Sequence, residues 1–196
     1  TESDAKRYHL SYSRAISAIA TACVHKDSRK NPGISVKLSA LHPRYEVAQE
    51  ASVMRDLVPR LRALALLAKS AGMGLNVDAE EADRLGLSLD VIEKVLSEPA
   101  LSGWDGFGIV VQAYGPRAGV VIDALYDMAI RHDRKIMVRL VKGAYWDTEV
   151  KRAQVKGVEG FPVFTQKAAT DVSYIANARK LLNMTDRIYP QFATHN

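Results

Sequence analysis

The stretch Lys135-Ile-Met-Val-Arg-Leu-Val-Lys-Gly-Ala-Tyr-Trp146 decides the fold. Residues 135–141 read as a buried parallel strand, a short apolar run in which Ile136, Val138 and Val141 are β-branched. Within it stands Arg139, a permanent charge that burial makes costly without an anionic or electron-rich partner. The strand gives way to Lys142-Gly143-Ala144, a small, permissive segment through which backbone N–H groups can approach a ligand closely. A cation on a strand beside a Lys-Gly turn points to a phosphate-bearing ligand without naming one.

Outward from this strand the pattern alternates. Upstream, a helix is predicted over 3–23, with Leu10, Ile16, Ile19 and Val24 near helical spacing, then a polar loop over 25–33 ending in Pro32-Gly33. A strand over 34–40 is followed by a long helix over 47–71, whose apolar face is Val53, Leu57, Leu61, Leu64 and Leu67 and which Pro59 should kink. Gly72 and Gly74 stop it. A strand over 74–79, a helix over 87–97 with Ser88 as N-cap, a strand over 107–113 and a helix over 118–132 complete the upstream part. Downstream, Asp147 or Thr148 caps a helix running toward Lys156, and a helix over 170–183 precedes a fifth strand over 188–194.

Strict alternation predicts an α/β protein with a parallel sheet and right-handed crossovers. The polar residues at the strand C-termini then carry the function: Lys37 and Ser39, Asp78 and Glu80, Gln112 and Tyr114, Arg139 and Lys142, and Thr194, His195 and Asn196. A (β/α)8 barrel gathers such ends on one face, whereas a doubly wound sheet collects ligands at a switch crevice. Polar groups at all five ends favour the barrel.

At 196 residues the chain has room for one domain with a substantial core, and 47% hydrophobic with 25% charged residues excludes global disorder. Residues 1–31 form a helix and loop preceding the barrel portion, 32–196. The 27 basic and 22 acidic residues give a net charge of +5. They are dispersed, with Lys26, Arg29 and Lys30 the nearest thing to a cluster, which argues against a nucleic-acid footprint but leaves anionic lipid open as a surface partner. Cys23 is the single cysteine, read as an inert, part-buried thiol, and no cysteine-based metal motif is present. No apolar run reaches membrane-spanning length and residues 1–25 lack a signal-peptide pattern, so an intracellular, cytoplasmic protein is expected.

Four blocks in order, Ile34-Ser-Val-Lys-Leu-Ser-Ala-Leu-His-Pro-Arg-Tyr45, Asp78-Ala-Glu-Glu-Ala-Asp-Arg84, Val138-Arg-Leu-Val-Lys-Gly-Ala-Tyr-Trp-Asp147 and Tyr189-Pro-Gln-Phe-Ala-Thr-His-Asn196, resemble the proline dehydrogenase domain of the bifunctional bacterial proline utilization A family. The likeness runs over 32–196 and is weaker in the first helix. It implies a (β/α)8 barrel that holds FAD and oxidises L-proline to pyrroline-5-carboxylate, with hydride passing from proline C5 to flavin N5. By resemblance, Arg139 lies near flavin N5 and Gln112 near the polar edge of the ring. Lys142, Gly143 and Ala144 contact the cofactor, and Thr194 and His195 belong to the same site. Lys37 helps hold the substrate carboxylate, Asp78 stands beside the reacting centre, and Tyr145 shapes the substrate pocket. The family also implies a membrane quinone as electron acceptor, hence peripheral contact with the inner face of the cytoplasmic membrane, and leaves an oligomer open.

Two features stand apart. The family barrel has eight strands and five are counted here; its final part carries an adjacent Arg-Arg pair that clamps the proline carboxylate, and this sequence has none. The chain therefore reads as the first five or so β/α units. The competing readings are a barrel lyase or aldolase using Lys37 or Lys142 as a Schiff-base amine, and a non-catalytic scaffold binding partners through exposed sheet edges. At residue level, Arg139 has a structural competitor in an ion pair with Asp78, and Gln112 in satisfying nearby backbone groups.

Overall fold

The computed structural model describes residues 1–194. Helix α1, Glu2–Ala20, opens on a capping box between Thr1 and Asp4. It stops three residues short of the expected end, and Leu10 and Val24 are exposed; Ala5 and Ile16 are its buried residues. Cys23 follows the helix and is part-buried. Strand β1 is Ile34–Val36, shorter than expected because the chain turns at Lys37 into a four-residue helix α2, Leu38–Leu41, burying Leu38 and Leu41. Helix α3, Glu50–Ser70, contains Pro59 and buries Val53, Leu57, Leu61 and Leu64. Its final turn leads to β2, Leu75–Val77.

Helix α4, Leu85–Leu96, begins two residues early, with Arg84 at its N-cap. Ser88 does not cap it: its hydroxyl donates to the Leu85 carbonyl at 2.7 Å, one turn back inside the helix. Strand β3 is Phe107–Gln112, α5 is Ala118–Arg131 and β4 is Ile136–Val141. Helix α6, Trp146–Lys156, starts on Tyr145, so Asp147 and Thr148 lie within its first turn rather than at the cap. Helix α7, Lys167–Leu182, and β5, Ile188–Phe192, close the described elements.

All four strand pairings are parallel and the order is β1-β2-β3-β4-β5. No strand order reversal occurs, so the doubly wound alternative with its switch crevice is excluded. The five-stranded sheet is not closed on itself. Side chains alternate between its two faces. Val36, Val77, Ile109, Val111, Val138 and Leu140 point to the helix layer and are buried in one core with Leu57, Leu61, Ile92, Ile122 and Ile16. Full burial of one such side chain stabilises the fold by about 1.5–3 kcal/mol.

The opposite face is concave. Its rows are Ser35–Asn76–Gly108–Met137–Tyr189 and, two residues further along, Val110–Arg139–Gln191, with Lys37 and Asp78 following directly on the last paired residues of β1 and β2. Arg139 Nη1 donates to Ser35 Oγ at 3.1 Å, across three strand spacings. On a flat sheet that separation is about 14 Å, farther than the two side chains can reach, so the sheet must curl. Two further chords agree with this: the Arg29 guanidinium lies 5.3 Å from the Tyr189 ring centroid, and Lys37 Nζ lies 3.4 Å from the Tyr145 hydroxyl.

Candidate active site

The strand C-termini bring three of the expected groups together. Lys37, extended and just past β1, places Nζ 3.5 Å from Asp78 Oδ2 and 3.4 Å from the Tyr145 hydroxyl. Partial burial works against its charge, but the Tyr145 phenol and the Asp78 carboxylate, with Glu80 behind them, outweigh that and raise its pKa. Lys37 is therefore an ammonium at neutral pH. That disfavours its use as a Schiff-base nucleophile, which needs the free amine.

Arg139 stands on the same face, bonded to Ser35, and makes no ion pair among the described residues; Asp78 is paired with Lys37 instead. The competing reading, a structural ion pair between Arg139 and Asp78, is thus not what the described residues form. Nearby, Asn76 Oδ1 and Gln191 Oε1 are buried acceptors without partners. Asn76 also explains Gly108 on β3, where a Cβ would fall inside the Asn76 amide. A half-buried cation and unspent acceptors on a curled sheet are what a planar, hydrogen-bonding ring system would satisfy.

Around the turn after β4 the residues expected to meet the cofactor have partners within the protein. Gln112 is committed to backbone: Nε2 donates to the Glu80 carbonyl at 2.9 Å and Oε1 accepts from Ala144 N–H at 3.1 Å. The Ala144 amide is therefore already used within the protein. Gly143 adopts φ +147, and a Cβ there would fall inside the Tyr114 ring. The close approach that glycine permits within the protein is to that ring. Lys142 Nζ pairs with Asp171 Oδ1 at 2.7 Å, and Lys167 holds the other oxygen at 2.7 Å. Thr194 is exposed just beyond β5, at the same end of the sheet, and His195 lies outside the described residues.

Sequence reasoning missed the groove beside this turn. It has a volume of about 390 Å³ and is lined by Tyr114, Lys142, Trp146, Phe164, Lys167 and Thr170, among others. The indole N–H of Trp146 donates to the Phe164 carbonyl at 2.8 Å, fixing the ring while leaving it 42% exposed. Aromatic faces beside two lysines suit a nucleotide with its phosphates. The only advance signal was Lys142 with Trp146; the segment carrying Phe164 and Lys167 has no motif. Glu149 on α6 was missed as well: it is 3% exposed and accepts from Ala82 N–H at 2.6 Å, tying α6 to the loop after β2. Burial pushes the unpartnered Tyr114 hydroxyl up to about 12. Among the described residues no group of three or more His, Cys, Asp or Glu side chains is arranged to hold a metal ion, and no helix is long and apolar enough to cross a membrane.

A parallel α/β sheet with a lysine–aspartate–tyrosine cluster on its open face, beside an arginine that makes no ion pair among the described residues, is a frame that can receive a small anionic molecule. The chain belongs to the proline dehydrogenase family, whose model, described as Proline dehydrogenase, matches residues 1–196. The Salmonella typhimurium relative named Bifunctional protein PutA is 58% identical over 196 residues, covering 100% of this chain and 15% of that protein. A crystal structure of a Bradyrhizobium japonicum Proline Utilization A mutant matches with a TM-score of 0.98 at 58% identity, over 100% of this chain and 20% of that one. Proline utilization A from Bdellovibrio bacteriovorus, inactivated by N-propargylglycine, matches with a TM-score of 0.90 at 31% identity, covering 100% of this chain and 22% of that one.

Proposed function

We propose that the protein carrying this chain oxidises L-proline to pyrroline-5-carboxylate with FAD, and that these residues are the first five units of its (β/α)8 barrel. The observation that carries the reading is the Lys37–Asp78–Tyr145 cluster opposite Arg139 on a curled, consecutive parallel sheet. The curl and the strand order support continuation into a barrel.

The residues present fit the cofactor. Arg139, Asn76 and Gln191 offer a cation and buried acceptors on the open face, and Lys142, Trp146, Phe164 and Lys167 line the adjoining groove. When bound, FAD supplies the acceptor for the hydride that leaves proline C5. The protein's own residues do the rest. Lys37, held as an ammonium, attracts the substrate carboxylate, and Tyr145 fixes Lys37 and walls the pocket. Asp78 keeps Lys37 charged and adds a negative field that favours the developing C=N cation. Arg139 favours negative charge accumulating beside it. The family resemblance implies a membrane quinone as electron acceptor and, with it, a cytoplasmic protein touching the inner face of that membrane, with L-proline as its small-molecule partner.

The test is the visible spectrum of the purified flavin-loaded protein before and after anaerobic proline. Bleaching of the flavin bands is the expected result. Bands unmoved by proline would overturn the assignment of substrate.

A further inference from the structure

The loop after β2 ties its neighbours together. Glu80 Oε1 accepts from Ser39 N–H at 2.9 Å, Oε2 lies 3.4 Å from Arg84 Nη1, and the side chain is 7% exposed. The Glu80 carbonyl accepts from Gln112, and Gln112 in turn accepts from Ala144. A line of hydrogen bonds thus runs from the end of β1 to the turn after β4, over four strand ends.

Its first link bears on Lys37. That residue occupies the N-cap of α2 without a side-chain bond to the helix, because an ammonium has no acceptor for the free N–H groups of a first turn. Glu80 supplies the acceptor from the neighbouring strand end. Ser39 is two residues from Lys37, so anchoring its amide sets the direction in which Lys37 leaves the sheet. Asp78, two residues before Glu80, meets the ammonium from the same loop. One loop therefore holds this segment twice, at the Ser39 amide through Glu80 and at the Lys37 ammonium through Asp78, while the Lys37 amide itself donates to the Tyr12 hydroxyl at 3.2 Å.

We infer that Glu80 is a positioning residue for proline oxidation, acting through Lys37 rather than on the substrate. This rests on the proline dehydrogenase reading above. The test is steady-state kinetics on the intact, flavin-loaded protein, with flavin absorbance and melting temperature read alongside. Glu80→Ala removes the acceptor for Ser39 and raises KM for proline by about tenfold, with kcat within about twofold. Glu80→Gln keeps an oxygen in place and brings KM back to within about threefold of the parent. Glu80→Asp keeps the charge but withdraws the oxygen by one methylene; it raises KM in the same direction and reads the proposal if alanine prevents folding.

An unchanged KM in the alanine and aspartate variants overturns the inference. So does a loss of flavin and stability with a parental KM in the enzyme that survives. A parent protein that oxidises no proline sinks the functional reading and this one together, whereas an active parent with indifferent variants sinks this one alone.

Discussion

Arg139 Nη1 and Ser35 Oγ meet at 3.1 Å although they stand on the fourth and first strands of the sheet. The bond is a chord across a curved face. It also leaves the guanidinium with a neutral partner, so its charge is free to act on whatever occupies that face. Replacing Arg139 with Met should lower kcat for proline by about 100-fold, the usual loss when a group stabilising transition-state charge is removed. Ser35→Ala, which removes only the chord, should cost less than about fivefold by the same measurement.

Lys37 should matter chiefly for substrate capture. Lys37→Met should raise KM for proline by about thirtyfold, the scale of one hydrogen bond to a charged group. Because the ammonium form is favoured, borohydride in the presence of carbonyl compounds should leave Lys37 unmodified, as peptide mass mapping would show.

Gly143→Ala should destabilise the protein by about 3 kcal/mol, since the new methyl group would meet the Tyr114 ring at a backbone φ that side chains rarely adopt. A urea melt with a lower midpoint and an unchanged slope would record it.

Arg134 is buried, with Nε donating to the Leu96 carbonyl at 3.1 Å and Nη2 to the Glu98 carbonyl at 2.9 Å. Arg134→Met would strand both carbonyls, one on the last residue of α4 and one just past it. The expected loss is about 2 kcal/mol in the same urea melt, with kinetic constants unchanged.

His9 provides a pH signature. Burial pushes its pKa below the ordinary 6.5, and its Nε2 is enclosed without a partner. Above pH 6.5 the ring is neutral whether the chain is folded or not. As pH falls through that value, the unfolded chain takes up the proton first, so stability is lost on the acid side. Between pH 7.5 and 5.5 the melting temperature should fall further in the parent than in His9→Leu.

Much of the sheet was legible because β3 and β4 are dense runs of Phe107, Ile109, Val111 and Ile136, Val138, Leu140, one face of each buried under helices. Boundaries were less so. Lys37 to Ser39 alternates like a strand, yet the chain coils into α2 because Leu38 and Leu41 find the core and Glu80 supplies the missing acceptor. Caps failed for a similar reason: Ser88, Asp147 and Thr148 have capping chemistry, but packing of Leu85 and Leu87 and of the Tyr145–Trp146 turn starts those helices earlier. At the site, Lys37, Asp78, Tyr145 and Arg139 were recognisable from type and order. What could not be read was where Gln112, Gly143 and Lys142 spend their bonds, since the partners, Glu80, Tyr114 and Asp171, lie 32, 29 and 29 residues away in sequence.

Each strand pairs with the one synthesised just before it. Such a sheet can grow as the chain leaves the ribosome, each β/α unit docking on an edge that already exists, with no need to await a distant partner. The same ladder leaves its newest strand as a temporary template. Until something covers β5, Tyr189 and Phe192 stand exposed on a row of open backbone groups, and the interval of greatest danger from aggregation is set by translation speed rather than by thermodynamic stability.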